Sequence, residues 1–252
     1  MRMLRRAFAI TPRLAAAAAA GAGATAIATH NSTTHARRQP LAPDDPTRTL
    51  LDEIYTDMSD GDEISIAELR EIDASGGHAA YGELSIRGMR ELRPRLDPQQ
   101  GDVFYDLGSG TGRAVIQAAL EWPVERAVGV ELAASRNTIG EKALARVADA
   151  SLRRKVDLRV GDIIECKGCE DASLVYVASL LFDDPFMSRL GQRLSELPKL
   201  RRVAVLTRFP EGALPGFVES AENAAPDNDP QVRRERLEVT WGAARVYLYE
   251  KQ

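Results

Sequence analysis

Cysteine is scarce in this chain of 252 residues, and its scarcity limits the kinds of protein the chain can be. Two cysteines, Cys166 and Cys169, are too few for a disulfide scaffold and favour a reducing compartment. A CxxC pair can also bind zinc or carry redox chemistry, but zinc needs two more ligands, and the three histidines lie far away in the sequence. We therefore expect free thiols in a loop.

Long apolar runs are also missing, and acidic residues are missing before Asp44. No run is long or apolar enough to span a bilayer, so stable membrane insertion is not expected. Residues 1–43 instead carry six arginines in an alanine-rich stretch, a composition typical of a mitochondrial or plastid transit peptide. A secretory signal and a disordered tail are the alternatives. We expect a disordered leader that directs the chain to an organelle.

Positive charge is in short supply in the rest of the chain. The formal net charge is −4, and the arginines before Asp44 account for +6, so the remainder carries about −10. Nucleic-acid binding depends on clustered lysines and arginines that neutralise phosphates. Strong intrinsic nucleic-acid binding is therefore not expected, and the acidic body suits a basic partner such as a lysine-rich protein.

Strand and helix patterns alternate from residue 102 onward. Helical periodicity predicts helices over 113–121, 135–148 and 184–197, the last with Asp184 as its N-cap. Such alternation is typical of an α/β fold with a mostly parallel sheet and helices on both faces. Apolar runs predict five strands: Val103–Leu107, Ala127–Val130, Val156–Val160, Leu174–Val177 and Arg202–Leu206.

Two flanking regions complete the predicted architecture. Leu237–Thr240 and Arg245–Tyr249 predict a C-terminal antiparallel strand pair around Gly242. Residues 44–100 predict a small helical N-terminal extension. We therefore divide the chain into three regions: the leader over 1–43, the extension over 44–100 and the main domain over 101–252.

A glycine-rich turn follows the first predicted strand in the segment Asp106–Gly112. Glycines in such a turn permit positive φ and let a ligand approach the backbone closely. Acids end or follow three successive strands: Asp106, Glu131 and Asp162. Such acids can take the ribose hydroxyls and the adenine amino group of a nucleoside. This pattern favours S-adenosylmethionine, a nucleoside with a cationic tail, over a pyrophosphate; a dinucleotide-type fold with another ligand is the alternative.

The wider sequence resembles one methyltransferase family. Phe104–Gly112 resembles the first motif of the disruptor-of-telomeric-silencing family, the histone-lysine methyltransferases that lack a SET domain. Tyr81-Gly82-Glu83 resembles its donor-binding loop, Gly129-Val130-Glu131 its ribose-binding acid and Gly161-Asp162-Ile163 its adenine-side motif. The likeness spans roughly residues 78–210. It implies a class I, Rossmann-like methyltransferase that transfers methyl groups from S-adenosylmethionine to a lysine of a protein, with histones as candidate substrates and the nucleus as the compartment.

The resemblance also implies the residues of the site. Tyr81 and Phe182 are expected beside the methyl group, with their aromatic faces holding the sulfonium. Ser179, which stands where the family has an asparagine, is our candidate polar group at the methyl-transfer point. Ser179 as a small residue at a strand end and Phe182 as a core residue are the alternatives. No metal is expected. Donor binding is assigned to Tyr81, Glu83, Asp106, Gly108, Ser109, Gly110, Gly112, Glu131, Asp162 and Ile163.

The sequence departs from the family pattern at positions close to the expected chemistry. Ala178 and Ser179 stand where the family has two asparagines, and Leu84 replaces a hydroxyl residue of the donor loop. Arg113 replaces a glutamine. A small-molecule or RNA methyltransferase and a non-catalytic module with the donor fold therefore stay open as alternatives.

Overall fold

The computed structural model describes residues 41–221 and 236–252, so the predicted leader lies almost entirely outside the described residues. The helices are α1 (Pro46–Ile54), α2 (Ile66–Ser75), α3 (Ile86–Leu96), α4 (Arg113–Glu121), α5 (Ala134–Arg146), α6 (Ala150–Lys155) and α7 (Asp184–Ser195). The strands are β1 (Val103–Leu107), β2 (Arg126–Glu131), β3 (Val156–Val160), β4 (Leu174–Val177), β5 (Arg202–Val205), β6 (Phe217–Glu219), β7 (Leu237–Val239), β8 (Gly242–Ala244) and β9 (Tyr247–Lys251). Within this part of the chain, no helix is long and apolar enough to cross a membrane.

Seven strands form the central sheet in the order β3-β2-β1-β4-β5-β9-β6. The five strands from β3 to β5 run parallel, and β9 is antiparallel to both of its neighbours. The chain leaves β1 towards β2 and β3 on one side and later returns to β4 and β5 on the other. The order therefore reverses between β1 and β4, where ligands bind in open α/β sheets. The predicted mostly parallel sheet is confirmed.

Helices cover both faces of the sheet, as predicted, because the strands are apolar on both sides. Successive β1 side chains point to opposite faces. Phe104 packs into a cluster with residues of α1, α3 and α4. Tyr105 packs on the other face with residues of α7. Helices α1 and α3 of the extension thus share a core with the sheet, while the predicted boundary at residue 100 stays a prediction.

The C-terminal antiparallel pair exists, but its second strand differs from the prediction. Strand β7 pairs with β8, with Val239 opposite Gly242, instead of with Arg245–Tyr249. A tight two-residue turn joins them, and Gly242 allows it with a φ of 137°. The later segment becomes β9 and pairs with β5, which buries Tyr249 against the core.

The start of α7 also differs from the prediction by one residue. Asp183, not Asp184, is the N-cap, and its carboxylate accepts a hydrogen bond from Phe186 N at 2.8 Å. Asp184 is the first helical residue and Pro185 follows it. Proline is tolerated there because the first turn of a helix has no partner for its N–H groups.

The expectation of free thiols is wrong, because Cys166 and Cys169 form a disulfide. Both side chains are buried against the α7 face of the sheet. Positive φ at Cys166 and Gly168 tightens the loop. The two cysteine Cα atoms consequently lie 5.6 Å apart, within the range that a disulfide spans.

Candidate active site

The sheet brings the glycine turn and the following strand end into direct contact. Glu131 is buried at the end of β2, and its Oε2 accepts a hydrogen bond from Gly110 N at 2.9 Å. Its Oε1 accepts one from Ala133 N at 2.9 Å. The Glu131 carbonyl accepts a hydrogen bond from Gly161 N at 3.0 Å, so Asp162 directly follows a backbone contact to this residue. Carboxyl ends of neighbouring parallel strands thus converge, as the sequence predicted.

Asp162 and Ile163 occupy different surroundings. The Asp162 carboxylate is half-buried and accepts a hydrogen bond from Ile164 N at 2.7 Å. Ile163 is buried in the cluster on the α7 face. Asp162 therefore keeps a polar group at the strand end, while Ile163 is placed as an apolar support; their predicted donor contacts stay predictions.

Two glycines, one in the glycine turn and one in β2 beside it, have no room for a side chain. A Cβ on Gly110, where φ is 56°, would lie 2.4 Å from Tyr81 Cε2. A Cβ on Gly129 of β2 would lie 2.6 Å from Ser109 Oγ. These glycines let Tyr81 lie on the turn from one side and Ser109 lie on β2 from the other. The requirement at Gly129 was not predicted from the sequence.

Three carboxyl groups share the space around the turn. Burial, then the charges of Glu131 and Glu83, raise the pKa of Asp106 to about 8. Burial also raises the pKa of Glu83, although hydrogen bonds from Tyr81 and Thr111 oppose the shift. Burial disfavours the charged form of these acids in the free protein, and a cation that binds beside them favours it again. Such a site favours a cationic ligand.

The predicted donor loop is fixed by hydrogen bonds to the glycine turn. The hydroxyl of Tyr81 donates to the carboxylate of Glu83. Thr111 Oγ1 donates to Glu83 Oε1 at 2.8 Å, and Thr111 N donates to Tyr81 Oη at 3.2 Å. Arg113, at the start of α4, lies 3.5 Å from Glu83 Oε2. Tyr81 and Glu83 are therefore held over the turn, and their predicted donor contacts stay predictions.

A contact between the donor loop and the β7–β8 hairpin was not predicted from the sequence. Glu83 N donates to Thr240 Oγ1 at 3.1 Å, and Thr240 N donates to the Glu83 carbonyl at 2.9 Å. Trp241 packs on Gly82, where a Cβ would lie 1.8 Å from Trp241 Cζ3. The hairpin thus supports the donor loop from outside the sheet.

Ser179 and Phe182 lie in surroundings that suit the structural alternatives. Ser179 is fully buried, and its hydroxyl oxygen accepts hydrogen bonds from Leu206 N at 3.1 Å and Thr207 N at 2.9 Å. The ring of Phe182 packs 4.4 Å from that of Phe186 on α7. These contacts account for both residues without a ligand, and their catalytic roles stay predictions.

Two buried polar residues beside the site escaped the sequence analysis. Arg136, near the start of α5, donates hydrogen bonds to the Gly61 and Ala79 carbonyls at 2.9 and 2.8 Å. Tyr176 of β4 pairs in register with Asp106, and its buried hydroxyl has no hydrogen-bond partner among the described residues. The sequence does show an arginine five positions after Glu131, in a predicted helix. Because arginine side chains are rarely buried, this position alone did not indicate a buried site residue.

The comparisons with known proteins agree with this arrangement. A family described as "Histone methylation protein DOT1" matches residues 64–247. The chain belongs to this family. The resemblance stated from the sequence is confirmed, and the match extends beyond the predicted 78–210 to include α2 and the hairpin.

Several relatives of this DOT1-family chain carry names that state an activity. A histone-lysine N-methyltransferase, H3 lysine-79 specific, from Debaryomyces hansenii is 28% identical over 182 residues, 67% of this chain and 15% of the relative. A protein of the same name from Yarrowia lipolytica is 29% identical over 121 residues, 48% of this chain and 23% of the relative. A protein-lysine N-methyltransferase from Saccharolobus islandicus is 31% identical over 88 residues, 35% of this chain and 53% of the relative. The chain spans less than a quarter of the length of these two histone-lysine relatives.

Solved methyltransferase structures are also similar to this chain. An RNA methyltransferase from Salinibacter ruber, solved with S-adenosyl-L-homocysteine, has a TM-score of 0.42 at 24% identity, covering 65% of this chain and 89% of that one. A glycopeptide N-methyltransferase, solved with S-adenosylmethionine, has a TM-score of 0.42 at 20% identity, covering 57% and 59%.

Proposed function

We propose that this chain binds S-adenosylmethionine at the glycine turn and transfers methyl groups to a lysine of a basic protein. Glu131 carries the proposal, because its carboxylate accepts a hydrogen bond from Gly110 N, its charge helps to raise the pKa of Asp106, and its carbonyl accepts a hydrogen bond from Gly161 N, directly before Asp162. The ligand has a polar nucleoside at one end and, at the other, a sulfonium, an ammonium and a carboxylate, with a net positive charge. Carboxylates that suit ribose hydroxyls, an adenine amino group and a cation fit such a ligand better than they fit a phosphate.

Each carboxyl group has a distinct role in this proposal. Glu131 takes the ribose hydroxyls and Asp162 faces the adenine, because each follows its strand at the same edge of the sheet. Asp106 and Glu83 accept the positive charge, which relieves their mutual repulsion. S-adenosylmethionine supplies an electrophilic methyl group on a positively charged sulfur.

The acceptor lysine has to reach the methyl group in its neutral form, because only the neutral amine has a free electron pair. Apolar surroundings lower the pKa of a lysine by desolvation. Leu180 and Leu181 follow β4 and are about half exposed, and Trp241 is exposed beside the donor loop. We infer that these side chains form an apolar entrance in which the chain orients the amine and excludes water.

The relatives support a protein substrate, and the proposal of a histone rests on their names. One observation favours an acceptor outside chromatin. Ala178 and Ser179 replace the family's paired asparagines, and backbone N–H groups already occupy the Ser179 hydroxyl oxygen. The relative from Saccharolobus islandicus, whose name gives a protein lysine and no histone as the acceptor, is compatible with such a wider acceptor range.

Labelled S-adenosylmethionine tests the activity directly. The purified chain is offered free histones, nucleosomes, a non-histone lysine-rich protein, RNA and a metabolite extract. We expect label on protein lysine, and we expect Glu131→Gln to lower the transfer rate at least about 100-fold through lost positioning. Glu141→Gln, an exposed substitution on α5, is the matched control and leaves the rate unchanged.

Other outcomes identify the alternatives. Label on RNA or metabolites, with none on protein, would replace the proposal with an RNA or small-molecule methyltransferase. Donor binding without transfer to any acceptor would indicate a binding module.

The compartment follows from the substrate in this proposal. A histone substrate requires the nucleus, whereas the arginine-rich segment over 1–43 favours an organelle. Imaging of the full chain and of residues 44–252 distinguishes them, since only a transit peptide changes the distribution when it is removed.

A further inference from the structure

A strap of residues 57–83, which contains α2, connects α1 to the donor loop. One side chain of the sheet domain holds both ends of the strap. Arg136 Nε donates to the Gly61 carbonyl at 2.9 Å, and Arg136 Nη2 donates to the Ala79 carbonyl at 2.8 Å. These two positions lie 18 residues apart in the strap, so one guanidinium fixes where the segment leaves and re-enters the site.

The same guanidinium lies beside Glu131, which the proposed function assigns to the donor, and beside Tyr81, which the sequence analysis assigns to it. Its Cζ lies 4.7 Å from the centroid of the Tyr81 ring. Its Nη1 lies 4.0 Å from Glu131 Oε1, with the arginine and glutamate side chains only 5% and 7% exposed. Burying an arginine side chain costs folding free energy unless its N–H groups have hydrogen-bond or ion-pair partners. Here the partners are strap carbonyls on one side and a donor-binding carboxylate on the other.

The neighbouring residue of α5 strengthens this attachment. Ser135 N donates to Glu68 Oε1 at 2.7 Å. Glu68 Oε2 at the same time accepts from Ser65 N at 2.8 Å and completes the capping box of α2. Burial opposes this charge, but the hydrogen bonds from Ser135 and Ser65 lower the pKa of Glu68 to about 2. The start of α5 therefore fixes the strap through α2 as well as through its ends.

We propose that Arg136 is a positioning residue that couples closure of the strap to donor binding. The proposal rests on the proposed function, because it assumes that Tyr81 and Glu131 contact the donor. A ligand that binds only when these two residues are in place stabilises the closed strap, and the closed strap raises affinity for the ligand by the same factor. Arginine suits this role because its planar fork makes two directed hydrogen bonds, which a lysine ammonium cannot reproduce at both carbonyls.

Hydrogen exchange of the full chain with and without S-adenosylmethionine tests the coupling without any substitution. We expect the donor to slow amide exchange throughout 57–83. Calorimetry then compares two variants. Arg136→Lys should weaken donor affinity about 5–100-fold, the range of typical coupling energies. In kinetics it should raise KM for the donor more than it lowers kcat.

Arg189→Lys is the matched control. Arg189 Nη2 also holds the strap, through the Ser75 carbonyl at 2.7 Å, and its guanidinium lies on Phe186 of α7. We expect donor affinity within about threefold of wild type, because this contact is not linked to Glu131 or Tyr81.

Three results would overturn the coupling. The first is a wild-type chain that binds the donor without slower exchange in the strap. The second is an equal loss of affinity in the two lysine variants, which would indicate general loosening. The third is a wild-type chain that binds no donor, which would overturn the proposed function as well and so is distinct from the first two.

Discussion

At the residue scale, Asp106 carries a carboxyl group whose burial costs stability in the free protein. Its pKa rises from an ordinary 3.8 to about 8, through burial first and then the charges of Glu131 and Glu83. A group with a raised pKa contributes stability that is fully present below about pH 4 and lost as the pH rises through about 8.

Asp106→Asn should therefore stabilise the protein at alkaline pH while it abolishes donor binding. Asparagine keeps the shape and removes the charge, so we expect unfolding at pH 9 to cost roughly 1–3 kcal/mol more than for wild type. Tm should rise by about 2–4 °C for each kcal/mol in a domain of this size. Thermal melts at pH 5 and pH 9 check the result, with the smaller gain expected at pH 5. An unchanged Tm at both pH values would contradict the assigned cost.

Residues of the site were predictable from sequence only where local pattern fixes their place. Asp106 is the last residue but one of β1 and Glu131 is the last residue of β2, so their convergence follows from the parallel sheet. Arg136 is different, because its partners lie 75 and 57 residues away in the chain. The place of Tyr176 beside the site was equally unpredictable, because a tyrosine fits an apolar strand pattern without indicating any contact. Tertiary contacts over such separations leave no local signal.

At the element scale, the β7–β8 hairpin reaches the donor loop by passing over α3. Gly88 makes this possible, because a Cβ there would lie 2.0 Å from the Glu238 carbonyl oxygen of β7. The hairpin is further held by Ser85 Oγ and Arg87 Nη1, which donate to the Glu238 carboxylate at 2.8 Å each. A small residue inside a helix thus sets the position of a separate hairpin.

Gly88→Ala should destabilise the protein although alanine favours helix. Propensity alone would stabilise α3 by about 1 kcal/mol. We expect a net loss of about 1–3 kcal/mol instead, because a backbone oxygen has to move. Thermal melts check the sign, and donor affinity should fall because the hairpin supports Glu83. Gly101→Ala is the control: nothing lies within 4 Å of its Cβ, and only its φ of +90° should cost stability, about 1 kcal/mol. A gain in Tm for Gly88→Ala would contradict the assigned contact.

Helices and strands were predicted correctly where their apolar pattern extends over enough residues to show its period. The bounds of β1, β3, β4 and α4 agree with the prediction, since each combines a clear apolar pattern with turn residues at its ends. Helix α6 and strand β6 were missed because six and three residues give too little periodicity. The partner of β9 was wrong for another reason: an alternating strand pattern does not say which neighbour it pairs with, and β5 lies far away in the sequence.

At the scale of the whole molecule, charge is divided unevenly along the chain, and the part from Asp44 onward carries about −10. Seven of the acids lie between 57 and 73, in the strap, where the only basic residue is Arg70. A negative body attracts a basic substrate over distances set by the ionic strength, because the screening length falls from about 30 Å at 10 mM salt to about 10 Å at 100 mM. Contact with the donor site is short-range and is screened much less.

Ionic strength should therefore weaken binding of the basic protein substrate much more than binding of the methyl donor. Raising the ionic strength from about 20 to about 200 mM should increase KM for a lysine-rich protein about tenfold, with donor affinity changed less than about twofold. Steady-state kinetics and calorimetry measure the two quantities on the same preparation. A short peptide with one lysine and no net charge is the control acceptor, and its KM should stay constant, since long-range attraction acts on net charge. If the KM of the neutral peptide rose in parallel with that of the basic protein, the acidic body would play no part in selecting the acceptor, and selection would lie in the entrance beside Trp241.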